Sequence, residues 1–252
     1  MKLLFPNNIF SKILAQSLPA EFRSEVSFVP ASTISRSIEE GSADMGLIPS
    51  LDLIKHPHFF VSGRIALSFD GSLSNSYLYF QPDKENLKDI YFAGDVTVNE
   101  ILLSKILFKE RYSIDIEAHL ETGQIRISEK NYLLTGDINL SDDMLQNQFS
   151  LSDEVSNMLE QPYVNFILAS KTEDNVEKLN GRADNLDNLI DEKLEDFITQ
   201  FKLGENTHEF IMNNINSVYY EITESEQEGL MELLRLPYYN GTMDEMIEIK
   251  LV

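Results

Sequence analysis

Apolar positions along the chain follow two spacings, and each spacing predicts an element. Ile9, Phe10, Ile13 and Leu14 fall on one face of a helix that Asn7 or Asn8 would cap. Val26 to Val29 reads as a short strand, and Ser32 or Thr33 opens a second helix that Gly41 closes. Asp44 to Ser50 reads as a strand running into a turn, because Pro49 cannot continue a central ladder. Arg64 to Phe69 and Ser76 to Phe80 are two further strands, parted by the turn-rich Asp70-Gly71-Ser72.

A second block follows. Asp89 to Ala93 is a strand, Gly94-Asp95 a turn, and Thr97 the cap of a long helix. That helix turns Ile101, Leu102, Ile106 and Phe108 inward and Lys105, Lys109, Glu110 and Arg111 outward. Asp115 to Ala118 and Tyr132 to Thr135 are strands, the second broken by Gly136-Asp137. Ser152 is expected to cap a helix ending near Gln161, with Asp153 and Glu154 at its positive end. Tyr163 to Ala169 is almost continuously apolar, as a strand buried on both faces would be. Beyond Thr172 the texture turns helical. Leu186, Leu189, Ile190, Leu194, Phe197, Ile198 and Phe201 step by three and four, and Glu224 to Leu234 is another amphipathic helix that should end before Pro237.

Strands alternating with helices predict an α/β fold with largely parallel sheets. Two short βα runs and a helical tail suggest two lobes, the tail returning to the first. Ligands of such sheets sit beyond the carboxyl ends of strands, at helix N-termini. The polar turns there are Asn7-Asn8, Pro49-Ser50, Asp70 to Ser76, Gly94 to Asn99 and Gly136-Asp137.

The 252 residues are 42% hydrophobic and 25% charged, enough to fill the core of one large or two modest domains. With 42 Asp and Glu against 20 Lys and Arg, the net charge of −22 repels phosphate backbones and anionic surfaces. Neither nucleic acid nor membrane is therefore an expected partner. The acidity is uneven: residues 1–80 carry 7 acids and 6 bases, residues 173–252 carry 19 and 6. An anionic ligand meets its least hostile surface on the first third, and the acidic tail reads as a solvated face. The absence of Cys excludes disulfides and thiolate metal sites. The apolar start Met1–Phe5 stops at Pro6, too soon for a secretory signal, so a cytoplasmic location is expected.

Neither GxGxxG, GxxxxGK[ST] nor GxSxG can be written anywhere in the chain. His56 and His58 flank Pro57, but without HExxH or Cys they read as an exposed turn, and no metal is expected. His119 ends a strand and reads as a structural histidine before it reads as a general base. The turn Ser72 to Ser76 and the helix start Thr97-Val98-Asn99 offer hydroxyl and amide donors suited to a carboxylate. Taken alone, both are equally an ordinary turn and an ordinary helix N-terminus.

Gly41-Ser42-Ala43-Asp44-Met45-Gly46-Leu47-Ile48-Pro49-Ser50 resembles the G-x-x-D-x-G-L-I-P-S segment of the futalosine-pathway menaquinone-biosynthesis family. That family comprises chorismate dehydratase and 1,4-dihydroxy-6-naphthoate synthase. In the same order, Ser76 to Phe80 is similar to its Ser-Val-x-Leu strand and Ile101 to Tyr112 to its L-L-R-I-L-L-x-E-x-Y-G helix. Thr135-Gly136-Asp137 is similar to its Ile-Gly-Asp, Gln161 to Ala169 to its L-P-F-V-F-A run, and Glu228-Gly229-Leu230 to its Glu-Gly-Leu.

The resemblance implies a type II periplasmic-binding-protein fold: two α/β lobes, residues 1–78 with 172–252 and residues 79–171, and a ligand cleft between them. It implies a cytosolic lyase that dehydrates chorismate or a similar cyclic carboxylate, with neither cofactor nor metal. Asn8, Ser50, Ser76 (or Ser74, with neighbouring Asn75), Thr97 and Asn99 would then bind substrate. Gly136 and Asp137 would line the facing lobe, Asp137 being the candidate catalytic group. One departure stands out. The family's polar pair before the long helix is replaced by Asn99-Glu100. A Glu aimed into that pocket would repel a carboxylate by ~1–4 kcal/mol. The alternative is therefore a non-catalytic small-molecule binding protein of the same fold, with a ligand that is neutral or cationic.

Overall fold

The computed structural model describes residues 1–81, 87–145 and 148–252. Its strands fall into two sheets. Strands β1 (Leu3–Pro6), β2 (Val26–Val29), β3 (Met45–Pro49) and β4 (Phe60–Phe69) belong to the first. Strands β5 (Ser76–Tyr79), β6 (Asp89–Gly94), β7 (Glu117–Leu120), β8 (Tyr132–Thr135) and β9 (Gln148–Ser150) form the second, in the order β7-β6-β8-β5-β9. The chain then returns through β10 (Tyr163–Ser170), β11 (Val218–Glu221) and β12 (Lys250–Leu251). This completes a first sheet ordered β11-β4-β10-β3-β1-β2, with β12 beside β4.

The sheets are mixed, which corrects the expectation of largely parallel ones. The β1–β2, β1–β3, β6–β7 and β6–β8 pairs are parallel, while β10 runs antiparallel to β3 and β4, and β5 to β8 and β9. An apolar run announces burial but carries no strand direction, so the reversal on re-entry was not legible. The sheets hand over between Phe69 and Ser76 and between Ser150 and Tyr163, because β5 pairs in the second sheet and β10 in the first. Both junctions fall earlier than the expected 78 and 171.

Helices α1 (Ile9–Ser17), α2 (Ala20–Arg23) and α3 (Ile34–Glu39) alternate with the first strands. Helix α4 (Val98–Tyr112) follows β6, and α5 (Leu151–Leu159) follows β9. Helices α6 (Glu173–Asn180), α7 (Leu186–Ile198), α8 (Glu205–Asn214) and α9 (Glu224–Tyr239) make up most of the tail. Two local expectations are corrected. Ser150, not Ser152, caps α5 by accepting from the Asp153 amide, and α9 continues through Pro237 to Tyr239. Helix α9 sits tight against the start of β10: a Cβ on Gly229 would lie 2.2 Å from the Pro162 carbonyl oxygen. Only glycine permits that approach.

One apolar cluster packs α1 and α7 on a face of the first sheet, through Phe10, Leu14, Ile190 and Phe166. A second runs without interruption from Ile48, Leu51 and Leu233 in the first lobe to Leu103, Leu107 and Leu133 in the other. The lobes therefore share a core along one side.

Candidate functional site

The carboxyl ends of β1, β3, β6 and β8 converge on the seam, and each is followed by a polar turn. Asn8 caps α1, accepting from the Ser11 amide at 2.8 Å. Ser50 starts the 3-10 turn Ser50–Ile54 after β3 and donates to the Val164 carbonyl at 2.7 Å. Gly94 and Gly136 end β6 and β8 with φ of +95° and +97°. A Cβ on Gly94 would lie 2.0 Å from the Thr135 carbonyl oxygen, which fixes glycine there.

Thr97 caps α4, and Glu100 closes a capping box with it. Glu100 Oε2 accepts from the Thr97 amide at 2.8 Å and the Thr97 hydroxyl at 2.6 Å, and its Oε1 accepts from Ser76 Oγ at 3.1 Å. Ser76 Oγ also lies 3.2 Å from Thr135 Oγ1. Glu100 has no exposed surface, and burial pushes its carboxyl above the usual range against the pull of those donors. Asn99 ties the lobes together: its Oδ1 accepts from the Leu51 amide at 3.0 Å, and its Nδ2 donates to the Asn165 carbonyl at 2.7 Å. Asn165 in turn donates to the Tyr163 hydroxyl at 2.6 Å.

The remaining expected residues divide. Gly136 N donates to the Asn75 carbonyl at 2.8 Å, while Asn75 Oδ1 is buried and lacks a hydrogen-bond partner. Ser74 Oγ donates to the Ser76 carbonyl at 2.8 Å and lies 2.7 Å from Ser152 Oγ on α5. Asp137 reaches across to α1, where Oδ1 accepts from the Ile9 amide at 2.8 Å and Oδ2 from Lys12 Nζ at 3.1 Å. His119, on the edge strand β7, bonds Asp89 on the neighbouring β6 at 2.8 Å.

Two carboxylates that sequence reasoning passed over complete the pattern. Asp95 accepts from the Ala31 amide at 3.0 and 2.8 Å, at the start of the turn that leads into α3. Asp142 accepts from the Thr207 amide at 2.9 Å and its hydroxyl at 2.7 Å, in the first turn of α8, and these donors hold its carboxyl below the usual range. Three second-lobe carboxylates thus sit on first-lobe N-termini, the places where such a fold offers positive potential to an anion. Nothing local in Gly94-Asp95 or Asp142-Asp143 announces partners so far along the chain.

Beside the seam, α4 and the Ser50–Ile54 turn enclose a cleft of about 830 Å³. Val98, Ile101, Leu102 and Ile116 form its apolar wall. Lys55, Lys105 and Lys109 stand around it, and among the described residues none of them closes an ion pair. Two acids also line it: Asp52, whose carboxylate accepts from Ser35 Oγ at 2.5 Å, and Asp115. Of the residues expected to bind ligand, only Thr97 lines this cleft.

The architecture is a known one. The alkanesulfonate-binding protein SsuA from Xanthomonas axonopodis pv. citri, solved bound to MOPS, is similar over 100% of this chain and 97% of its own, with 13% identity and a TM-score of 0.67. Protein AF1704 from Archaeoglobus fulgidus is similar over 96% of this chain and 98% of its own, with 14% identity and a TM-score of 0.62. The Candida albicans CA3427 gene product, described as having the generic periplasmic binding protein fold, covers 97% of this chain and 91% of its own at 9% identity and a TM-score of 0.59. This chain has that two-lobed fold. No protein-family model matches the sequence, and no curated protein matches it as a relative.

Proposed function

We propose that this chain is a divergent, cytoplasmic relative of the futalosine-pathway proteins that has given up dehydration and binds an amphipathic organic anion in the α4 cleft. The observation that carries the reading is the position of Glu100. The serine and the helix start that the resemblance assigns to a substrate carboxylate are taken by a carboxylate of the chain itself. A diacid entering there would have to displace a buried group and break all three contacts. Removal of a ring proton also needs a base within hydrogen-bond reach. Asp137, the candidate, is committed to Ile9 and Lys12.

The α4 cleft supports the ligand class. Its volume lies in the range of small-molecule sites, and an apolar wall beside cationic groups suits an aliphatic chain ending in a carboxylate or sulfonate. Because Glu100 spends its charge inward, it does not select a neutral or cationic ligand. One neighbour of the same fold, an alkanesulfonate-binding protein, was solved bound to MOPS, a sulfonate, the class of anion proposed here.

Thermal-shift and calorimetric titration with octanesulfonate, octanoate and chorismate tests this. The two aliphatic anions should stabilise the protein, Lys105→Glu with Lys109→Glu should abolish the effect, and chorismate should yield no dehydrated benzoate. Turnover of chorismate would overturn the proposal in favour of the lyase. Aliphatic anions that bind the double variant as well as the native chain would remove the cleft.

A further inference from the structure

We propose that Glu39, His56 and His58 form a surface site for a zinc ion. This proposal does not rest on the ligand reading above. The sequence presents His56-Pro57-His58 as a turn, and the third group arrives from elsewhere in the chain. Helix α3 ends at Glu39 beside the Ser50–Ile54 turn, whose C-terminal continuation carries both histidines. The three ligand atoms lie within 4.8 Å of one another. Glu39 Oε2 is 2.9 Å from His58 Nε2 and 3.5 Å from His56 Nδ1. Ligands about 2.0–2.1 Å from a tetrahedral zinc ion sit roughly 3.3–3.5 Å apart, so both Glu39–His separations lie within a few tenths of an ångström of that spacing, and side-chain rotation has to bring the two imidazoles to it from within 4.8 Å.

Both rings are held before any ion arrives. His56 stacks on the fully buried Phe59 with centroids 4.8 Å apart and an interplanar angle of 15°, and His58 meets the same ring edge-on at 4.9 Å. Backbone bonds from His56 N to the Asp52 carbonyl and from Phe59 N to the His56 carbonyl fix the turn, and Pro57 removes one rotation between the ligands. Lys171 Nζ donates to the Glu39 carbonyl at 2.9 Å, pinning the end of α3. It also stands 3.9 Å from Glu39 Oε1, which leaves Oε2 free to face the histidines.

Two imidazoles and one carboxylate are the donor set of a three-ligand zinc site with the fourth position open to water. The side chains are 19%, 48% and 41% exposed for His56, His58 and Glu39, so an ion can reach them from solvent. The plain alternative is an ion pair between Glu39 and protonated histidines. The two readings part under zinc: an ion pair leaves nothing to saturate, and coordination releases protons. A second cluster, Asp89, Glu117 and His119, offers one imidazole and serves as the control.

The experiment titrates the metal-free full chain with zinc chloride by calorimetry near neutral pH, with cobalt as a spectroscopic substitute. One ion should bind with Kd of about 10 μM or tighter, with proton release on binding. His58→Ala and Glu39→Gln should each weaken binding by about tenfold or more with unchanged circular dichroism. His119→Ala should bind as the native chain does. Cobalt should give the visible absorption of a tetrahedral centre. Absence of saturable binding, binding undiminished in both His58→Ala and Glu39→Gln, or loss of the site in His119→Ala would overturn the proposal.

Discussion

Replacing Glu100 by alanine tests whether the chain fills its own anion seat. The change leaves the buried Thr97 amide without its acceptor at 2.8 Å and removes the reciprocal half of the α4 capping box. An orphaned buried donor costs about 1–3 kcal/mol. Ser76 Oγ keeps Thr135 Oγ1 within reach, and the unfavourable burial of a carboxylate is relieved, so a net loss of about 2 kcal/mol is expected. For a chain of this length that lowers Tm by roughly 4–8 °C. The truncation also vacates a volume shaped for a short carboxylate and lined by the same donors. Acetate at ten times its Kd should return about 1.4 kcal/mol, while chloride at equal ionic strength should return none. Glu100→Gln should stay within about 1 kcal/mol of the native chain, since glutamine serves the same capping position. Differential scanning fluorimetry with both salts reads all of this. A Glu100→Ala variant as stable as the native chain, or one rescued equally by chloride, refutes the reasoning.

Two further outcomes follow from the same geometry. Asn99→Ala should cost about 2–4 kcal/mol, because the Leu51 amide and the Asn165 carbonyl lose their partner together, and small-angle scattering should show the lobes further apart. Asp187, which accepts from the Tyr220 amide, is pushed up to about 6 by burial and by the nearby Glu221 and Glu226. Its neutral form is favoured in the folded state, so its contribution is full below about pH 4, the unfolded value, and is lost as pH rises through about 6. Urea midpoints of Asp187→Asn should therefore fall less steeply between those pH values and exceed the native ones at neutral pH. Parallel curves would contradict this.

Much of the fold could be read from the residues, and the reason is local. Asn8 caps α1 because its partner, the Ser11 amide, is three residues away, and the apolar run from Tyr163 showed its burial directly. The cap of α5 is less local: Asp153 and Glu154 suit a first turn that starts from either Ser150 or Ser152, and the residues alone do not choose Ser150. Strands β9, β11 and β12 were missed: Gln148–Ser150 is short and at an edge, Val218–Glu221 ends in a charge, and Lys250–Leu251 is two residues long. The turns that approach the seam were legible as strand ends. What fills it was not. Asn99 meets Leu51 and Asn165, Asp95 meets Ala31, and Asp137 meets Ile9, all partners far along the chain that no spacing rule connects. The same holds for Glu39 beside His56 and His58.

The seam as a bonded interface that stays shut without a ligand is tested most directly by hydrogen exchange at the Leu51 amide, which donates to Asn99 across the lobes. The Leu51 amide should exchange only through global unfolding, at the rate of the central β3 and β10 amides. Exchange of Leu51 through a lower-energy opening, while those strand amides stay protected, would mean that the lobes part freely and would contradict it.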